Sequence, residues 1–175
     1  MSDAPTDATL DVARIVEVLN RHKVAYVVIG GVAAAAWALS QGVAIRPTED
    51  IDITPEATRA NLDRLSDALR ELDAHIRADG VPGGLAFDHD GSSLGRGATW
   101  NLLCRHGPFD ISITPSGTEG FVDLAQRARI VTVDGVEAPL ADLADIIRSK
   151  RAAGRPKDHA VLPSLEEALR RRDGT

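Results

Sequence analysis

The sequence predicts an α/β protein of the α+β kind, a mixed β-sheet flanked by α-helices. Three observations predict it. Short β-rich runs alternate with segments of helical apolar spacing, and Asp134-Gly135 joins two such runs as a hairpin turn. The apolar run Tyr26-Val27-Val28-Ile29 stops at Gly30-Gly31, ahead of an Ala-rich segment. Hairpins require antiparallel pairs and strand–helix alternation permits parallel ones, so the sheet is expected to be mixed.

The 175 residues suffice for one domain with a full core. We expect a disordered tail over residues 1–8 and a single domain over 9–175, ending in helices across 140–171. Val12, Ile15, Val16 and Leu19 follow helical spacing within residues 10–22, and residues 26–29 read as a strand ending in a Gly-Gly turn. Residues 33–39 form a small-residue helix, with Trp37 as a core anchor. Arg46-Pro47 marks a bend before a strand over 50–53, which Pro55 ends. Leu62, Leu65, Leu69 and Leu72 form one stripe of a helix over 56–73. Residues 79–97, rich in Gly and Asp, read as a long substrate-contacting loop. Strands over 98–104 and 109–113 meet at a turn around His106-Gly107-Pro108. Residues 129–133 and 136–138 pair across Asp134-Gly135, and helices over 140–153 and 156–171 complete the chain.

Composition narrows the class. The one cysteine, Cys104, sits in an apolar run and reads as a buried small hydrophobe. No apolar segment approaches the length of about 18 residues that a membrane helix needs, and residues 1–9 are unlike a secretory signal, so a cytoplasmic protein is expected. The formal net charge is −6, unevenly spread: residues 1–147 hold 12 Lys/Arg against 22 Asp/Glu, and residues 148–175 hold 8 against 4. An acidic bulk argues against non-specific nucleic-acid binding, while the basic C-terminal element could hold phosphates locally.

The chemistry centres on Thr48-Glu49-Asp50-Ile51-Asp52-Ile53. On a strand Asp50 and Asp52 share a face, and Ile51 and Ile53 point to the core. Paired carboxylates repel unless a cation joins them, and Mg²⁺ favours one or two carboxylates with phosphate oxygens and water. The upstream Gly pair lets backbone approach a phosphate closely. Phe109-Asp110-Ile111-Ser112-Ile113 repeats the alternation. If it lies beside the first strand, Asp110 completes a triad for two ions about 3.5–4 Å apart, with Asp110 a ligand or general base. In Lys150-Arg151-Ala152-Ala153-Gly154-Arg155-Pro156-Lys157-Asp158, the cations suit a helix end, Gly154 its cap and Pro156 the next helix start. Cations beside a helix start also suit a phosphate, and local rules do not decide between the two. Asp88-x-Asp90 lacks the glycine and glutamate of a Ca²⁺ loop; Gly-Lys-Ser/Thr and His-Glu-x-x-His motifs are absent.

Gly30-Gly31, Asp50-x-Asp52, Asp110 and the Lys150 to Asp158 element resemble the nucleotidyltransferase superfamily of DNA polymerase β-like folds. Within it the chain is similar to the AbiEii/MenT-type toxin group over about residues 12–170. The resemblance implies Mg²⁺, or Mn²⁺ in its place, at Asp50, Asp52 and Asp110, with Asp50, Asp52, Asp110 and Lys150 acting in catalysis. It implies NTP contacts from Gly30, Gly31, Thr48, Lys150, Arg155 and Asp158. Gly-Gly replaces the Gly-Ser of many members and removes a phosphate-binding hydroxyl; Thr48 is a phosphate contact or a phosphorylation target. The implied reaction moves a nucleoside monophosphate from an NTP to the tRNA 3′ end, as a toxin with a cognate antitoxin. The alternatives are a protein or small-molecule drug acceptor, or a non-catalytic nucleotide-binding domain.

Overall fold

The computed structural model describes residues 8–174; of the expected N-terminal tail, residues 1–7 lie outside the described residues. Helix α1 (Val12–Arg21) starts where the Asp11 carboxylate accepts the Arg14 backbone N–H, and it buries Ile15, Val16 and Leu19 completely. Strand β1 (Tyr26–Ile29) runs directly into α2 (Gly30–Ser40). The expected turn is therefore a single residue: Gly30, at φ 65°, reverses the chain and is already the first residue of the helix, three residues earlier than predicted. Trp37 is half-buried, and its indole N–H donates to the Ala141 carbonyl at 2.8 Å.

Strand β2 (Ile51–Pro55) is shifted from the expected 50–53. Asp50 precedes it in a bend, and Pro55 remains in register opposite Tyr26. Helix α3 (Arg59–Glu71) begins at Thr58, whose hydroxyl accepts the Asn61 N–H, and its stripe Leu62, Leu65 and Leu69 is buried. The predicted loop over 79–97 is corrected. Strand β3 (His75–Ala78) pairs with β4 (Val81–Leu85), and a short helix α4 (Gly91–Arg96) follows, closed by reciprocal Asp90 and Ser93 capping bonds. Gly83 and Gly84, both at positive φ, hide β4 from a propensity reading.

Strands β5 (Thr99–Cys104) and β6 (Gly107–Ser112) form a hairpin whose turn is Arg105-His106, because Gly107 and Pro108 already pair with Cys104 and Leu103. A short helix α5 (Phe121–Ala125) had no counterpart in the sequence reading. Strands β7 (Arg129–Val133) and β8 (Val136–Leu140) turn at Asp134-Gly135 as expected. Helix α6 (Leu143–Ala153) starts later than predicted because Leu140 belongs to β8 and Asp142 caps the helix. Gly154 in the left-handed region ends α6, and Pro156 opens α7 (Pro156–Asp173).

One eight-stranded sheet results, in the order β4-β3-β5-β6-β2-β1-β8-β7. It is mixed as expected: β2–β6 and β1–β8 are parallel, and the other pairs are antiparallel. Ile51, Ile53, Leu102, Phe109 and Ile111 are buried in the core with the α1 and α3 stripes, and Cys104 is buried with them. Helices α2, α6 and α7 pack on one another. Among the described residues no helix is long and apolar enough to cross a membrane.

One polar side chain inside this core ties three segments. Fully buried Asn61 accepts the Ala25 N–H through Oδ1 at 2.7 Å and donates through Nδ2 to the Ala25 and Glu56 carbonyls, both at 2.8 Å. Asn61→Ala strands these buried backbone groups and is expected to cost about 2–4 kcal/mol. Urea denaturation is expected to show a lower midpoint at an unchanged slope; a midpoint within error of the parent would contradict this role.

Candidate active site

The site grows from strand register. In the parallel β2–β6 pair, Ile51 lies against Phe109, Asp52 against Asp110 and Ile53 against Ile111. The four apolar side chains enter the core, so the two intervening carboxylates share the opposite face. Asp50 joins them from the bend before β2, where Thr48 donates its hydroxyl to the Asp50 carboxylate at 2.9 Å and its carbonyl at 3.2 Å. One oxygen from each of Asp50, Asp52 and Asp110 lies within 4.8 Å of the other two, an arrangement able to hold a divalent cation.

Both glycines at the start of α2 are required by contact. A Cβ on Gly30 would lie 2.3 Å from Asp52 Oδ2, and one on Gly31 would lie 2.6 Å from Thr48 Oγ1. The helix start is thereby pressed against the carboxylates, whatever the glycines also do for a phosphate.

A cavity of about 640 Å³ opens over the triad. Gly30, Gly31, Thr48, Asp50, Asp52 and Asp110 line it, as do Lys150, Arg155 and Lys157. Asp158 stands behind that lining, with no side-chain exposure, 3.3 Å from Lys150 Nζ and 2.7 Å from Arg155 Nε. Burial would raise its pKa, but the hydrogen bond from Arg155 and the charges of Lys150 and Arg155 outweigh burial and hold it below the usual carboxylate range. Asp158 thus fixes two cations that line the cavity.

Asn101 and Arg77 join the site with no part in the sequence expectation, and Lys157, expected only as one cation of the Lys150 to Asp158 element, takes a specific place in it. Lys157 opposes the charge of Asp52 from the cavity wall. Asn101 pairs with Asp110 across the β5–β6 hairpin, a position readable from the hairpin itself once its turn is set at 105–106. Arg77 on β3 reaches Asp110 Oδ1 at 2.5 Å. No sequence signal marks Arg77, because its strand shows itself only through pairing with β5 and β4.

The C-terminal basic element is largely neutralised. Arg148 pairs with Asp123 and Asp145, Arg151 with Glu166, Arg170 and Arg171 with Glu167, and Arg172 with Asp142 and Asp173. With Lys150 and Arg155 on Asp158, Lys157 is the one cation of that element without an ion-pair partner among the described residues.

The triad is electrostatically strained without a cation. Burial, then the charges of Asp50 and Asp110, push the Asp52 pKa up to about 7, against the pull of Lys157 and Lys150. Asp110 is also raised, chiefly by burial, with Arg77 opposing. Below about pH 4 Asp52 is protonated whether folded or unfolded. Between about pH 4 and 7 the folded state holds a proton on Asp52 that the unfolded chain has lost, so the contribution of Asp52 to stability falls as pH rises and levels off above pH 7. Asp52→Asn, melted in chelator, is therefore expected to exceed the parent by about 2–4 kcal/mol at pH 8 and to lose that margin as pH falls towards 4. Equal melting at pH 8 would contradict the strain.

Comparison of the sequence with family models and with curated proteins returns no match. Solved structures do match the fold. The lincosamide antibiotic adenylyltransferase LnuA, solved with lincomycin bound, is 15% identical, with a TM-score of 0.59 over 91% of this chain and 99% of its own. A candidate nucleotidyltransferase from Thermotoga maritima is 19% identical, with a TM-score of 0.51 over 88% and 89% of the two chains. The antibiotic-resistance factor ANT(2″)-Ia, in complex with adenylyl-2″-tobramycin, is 15% identical, with a TM-score of 0.50 over 91% of each chain. The mixed sheet carrying Asp52 and Asp110 on adjacent strands is a nucleotidyltransferase fold.

Proposed function

We propose that this protein is a divalent-metal-dependent nucleotidyltransferase, moving a nucleoside monophosphate from an NTP to a hydroxyl of a small acceptor molecule. The observation that carries the reading is the triad: three carboxylate oxygens within 4.8 Å at the floor of a cavity whose lining also holds Lys150 and Lys157. The donor set, all oxygen and partly desolvated, fits Mg²⁺ or Mn²⁺ at Asp50 and Asp52 with Asp110 beside them. A bound cation would neutralise phosphate charge and act as a Lewis acid on the transferring phosphoryl group.

The chain's own groups divide the remaining work. The N–H groups at the start of α2 and the Thr48 hydroxyl receive triphosphate oxygens. Lys150, held by Asp158, and Lys157 stabilise charge that builds on the departing pyrophosphate. The acceptor oxygen forms a bond to the α-phosphorus as the bond from that phosphorus to the β-phosphate bridging oxygen breaks. Pyrophosphate leaves, and Asp110 takes the acceptor's hydroxyl proton.

A small acceptor is favoured over tRNA by the paired state of the basic element. Ion pairs with Asp123, Asp142, Asp145, Glu166, Glu167 and Asp173 occupy arginines that would otherwise neutralise nucleic-acid phosphates. The tRNA acceptor and cognate antitoxin expected from the toxin resemblance find no support in this surface. The fold neighbours LnuA and ANT(2″)-Ia, solved with lincomycin and with adenylylated tobramycin, point the same way.

The test incubates the protein with Mg²⁺ and each α-labelled NTP, beside tRNA or pooled hydroxylated small molecules. Pyrophosphate release is expected to fall at least about a hundredfold in Asp50→Ala and on chelation. Label on tRNA would overturn the small acceptor; release unchanged in folded Asp50→Ala would overturn the site. Asp158→Asn leaves the triad in place but loosens Lys150. It is expected to lower kcat/KM for the NTP about tenfold or more, with Mg²⁺ binding retained by calorimetry.

A further inference from the structure

The nucleotidyltransferase reading leaves open what the acceptor is, and the sheet beyond Asp110 bears on that question. Register joins a row of side chains on the site face. Asp52 lies beside Asp110, and Asp110 beside Asn101. Strand β3 pairs with β5 through His75–Leu103 and Ile76–Leu102, and one further step of that register sets Arg77 beside Asn101. The row therefore crosses four strands as Asp52, Asp110, Asn101 and Arg77.

Arg77 does not pair with its neighbour in the row. It extends over β5, across two interstrand spacings of about 4.8 Å each, to meet Asp110 at 2.5 Å. Its side chain is 38% exposed, so it lies across the surface rather than locked inside it. Beneath that reach, Asn101 is exposed and makes no side-chain hydrogen bond among the described residues. Thr99 and Ser112, paired across the same hairpin, line the cavity on the same face. The phosphate-binding groups all lie the other way: Gly30, Gly31 and Thr48 flank β2 on its β1 side, and Lys150 and Lys157 come from α6 and α7.

We propose that the strip from Asp110 across Asn101 to Arg77 is the acceptor subsite, and that Arg77 makes it select hydroxylated acceptors bearing a carboxylate or phosphate group over those bearing ammonium groups. This rests on the nucleotidyltransferase reading. With no acceptor bound, Arg77 and Asp110 satisfy each other. Once an acceptor hydroxyl engages Asp110, that carboxylate turns to the hydroxyl proton and the guanidinium needs another anion. An acceptor that supplies one beside its reactive hydroxyl restores the pairing, in the bidentate geometry guanidinium groups favour. An acceptor with an ammonium group there meets a like charge on a partly desolvated surface. Asn101, Thr99 and Ser112 offer an amide and two hydroxyls to the acceptor's remaining hydroxyls.

The experiment measures label transfer and pyrophosphate release with Mg²⁺ and each α-labelled NTP. The acceptors are matched on one scaffold: glucuronate and glucose 6-phosphate as acids, glucose as the neutral form, and glucosamine as the amine. The expected result is transfer to at least one acid about tenfold or more above glucosamine. Arg77→Gln is expected to raise KM for that acid about tenfold more than it raises KM for glucose, and Arg77→Glu to reverse the order of acid and amine. Arg77→Lys is expected to restore part of the preference. Melting curves confirm that each variant folds, which this partly exposed position favours. Glucosamine preferred by the parent, an order unchanged in Arg77→Glu, or no labelled acid would overturn the proposal. Asp50-dependent label transfer to any acceptor, or Asp50-dependent pyrophosphate release to water, separates the two claims: with either one, those results sink the acceptor assignment alone, and with neither, the nucleotidyltransferase reading falls with it.

Discussion

The parallel register of β2 on β6 is the constraint on which the site depends. It sets Asp52 directly beside Asp110, and a slip of one residue would turn one carboxylate into the core. The pairing of like charges opposes that register; the burial of Ile51, Ile53, Phe109 and Ile111 enforces it. Each such side chain contributes about 1.5–3 kcal/mol on burial, so the four together exceed the few kcal/mol by which partly buried carboxylates repel. Packing wins, and it holds the anions together where no favourable interaction among them would.

The same logic extends outward from the triad. Helix α2 can begin hard against Asp52 and Thr48 only because Gly30 and Gly31 present no Cβ there. On the far side, Asp158 surrenders all exposure to hold Lys150 and Arg155. A buried carboxylate costs several kcal/mol unless paired; paired with two cations, it fixes positive groups along a cavity floored by negative ones. The helix that ends at Gly154 and the one that starts at Pro156 are brought together at that carboxylate, so the cap residues and the charge residues serve one junction.

Much of this was legible in the sequence, for identifiable reasons. Asp50-x-Asp52 and Phe109-Asp110-Ile111 declare themselves because strand alternation separates core from site within a few residues. The Asp134-Gly135 hairpin and the Gly154-Pro156 junction are local rules that tertiary contacts leave undisturbed. Strands β3 and β4 were not legible: Val-Pro-Gly-Gly-Leu at the sheet edge has little strand propensity, and pairing with β3 supplies what propensity does not. With β3 unread, Arg77 had no place, since its role depends on a partner 33 residues away on a strand two positions over. The basic C-terminus misled in another way. A net charge summed over residues counts cations, whereas a surface field depends on which of them lack carboxylate partners, and the fold gives partners to nearly all.

That distinction also explains how charge is arranged around the cavity. The cations near the triad stand on two sides: Lys150 and Lys157 from the helices, and Arg77 from the distal part of the sheet. A site for one polyanion would gather its cations on one wall, since triphosphate oxygens lie close together. Cations on opposite sides of an acidic floor instead suit two substrates that meet over it, one brought in by its phosphates and the other held beyond Asp110. On the proposed reading the carboxylates between them would, besides holding a cation, keep the two positive regions apart, so that neither substrate's anchoring group would settle where the other belongs.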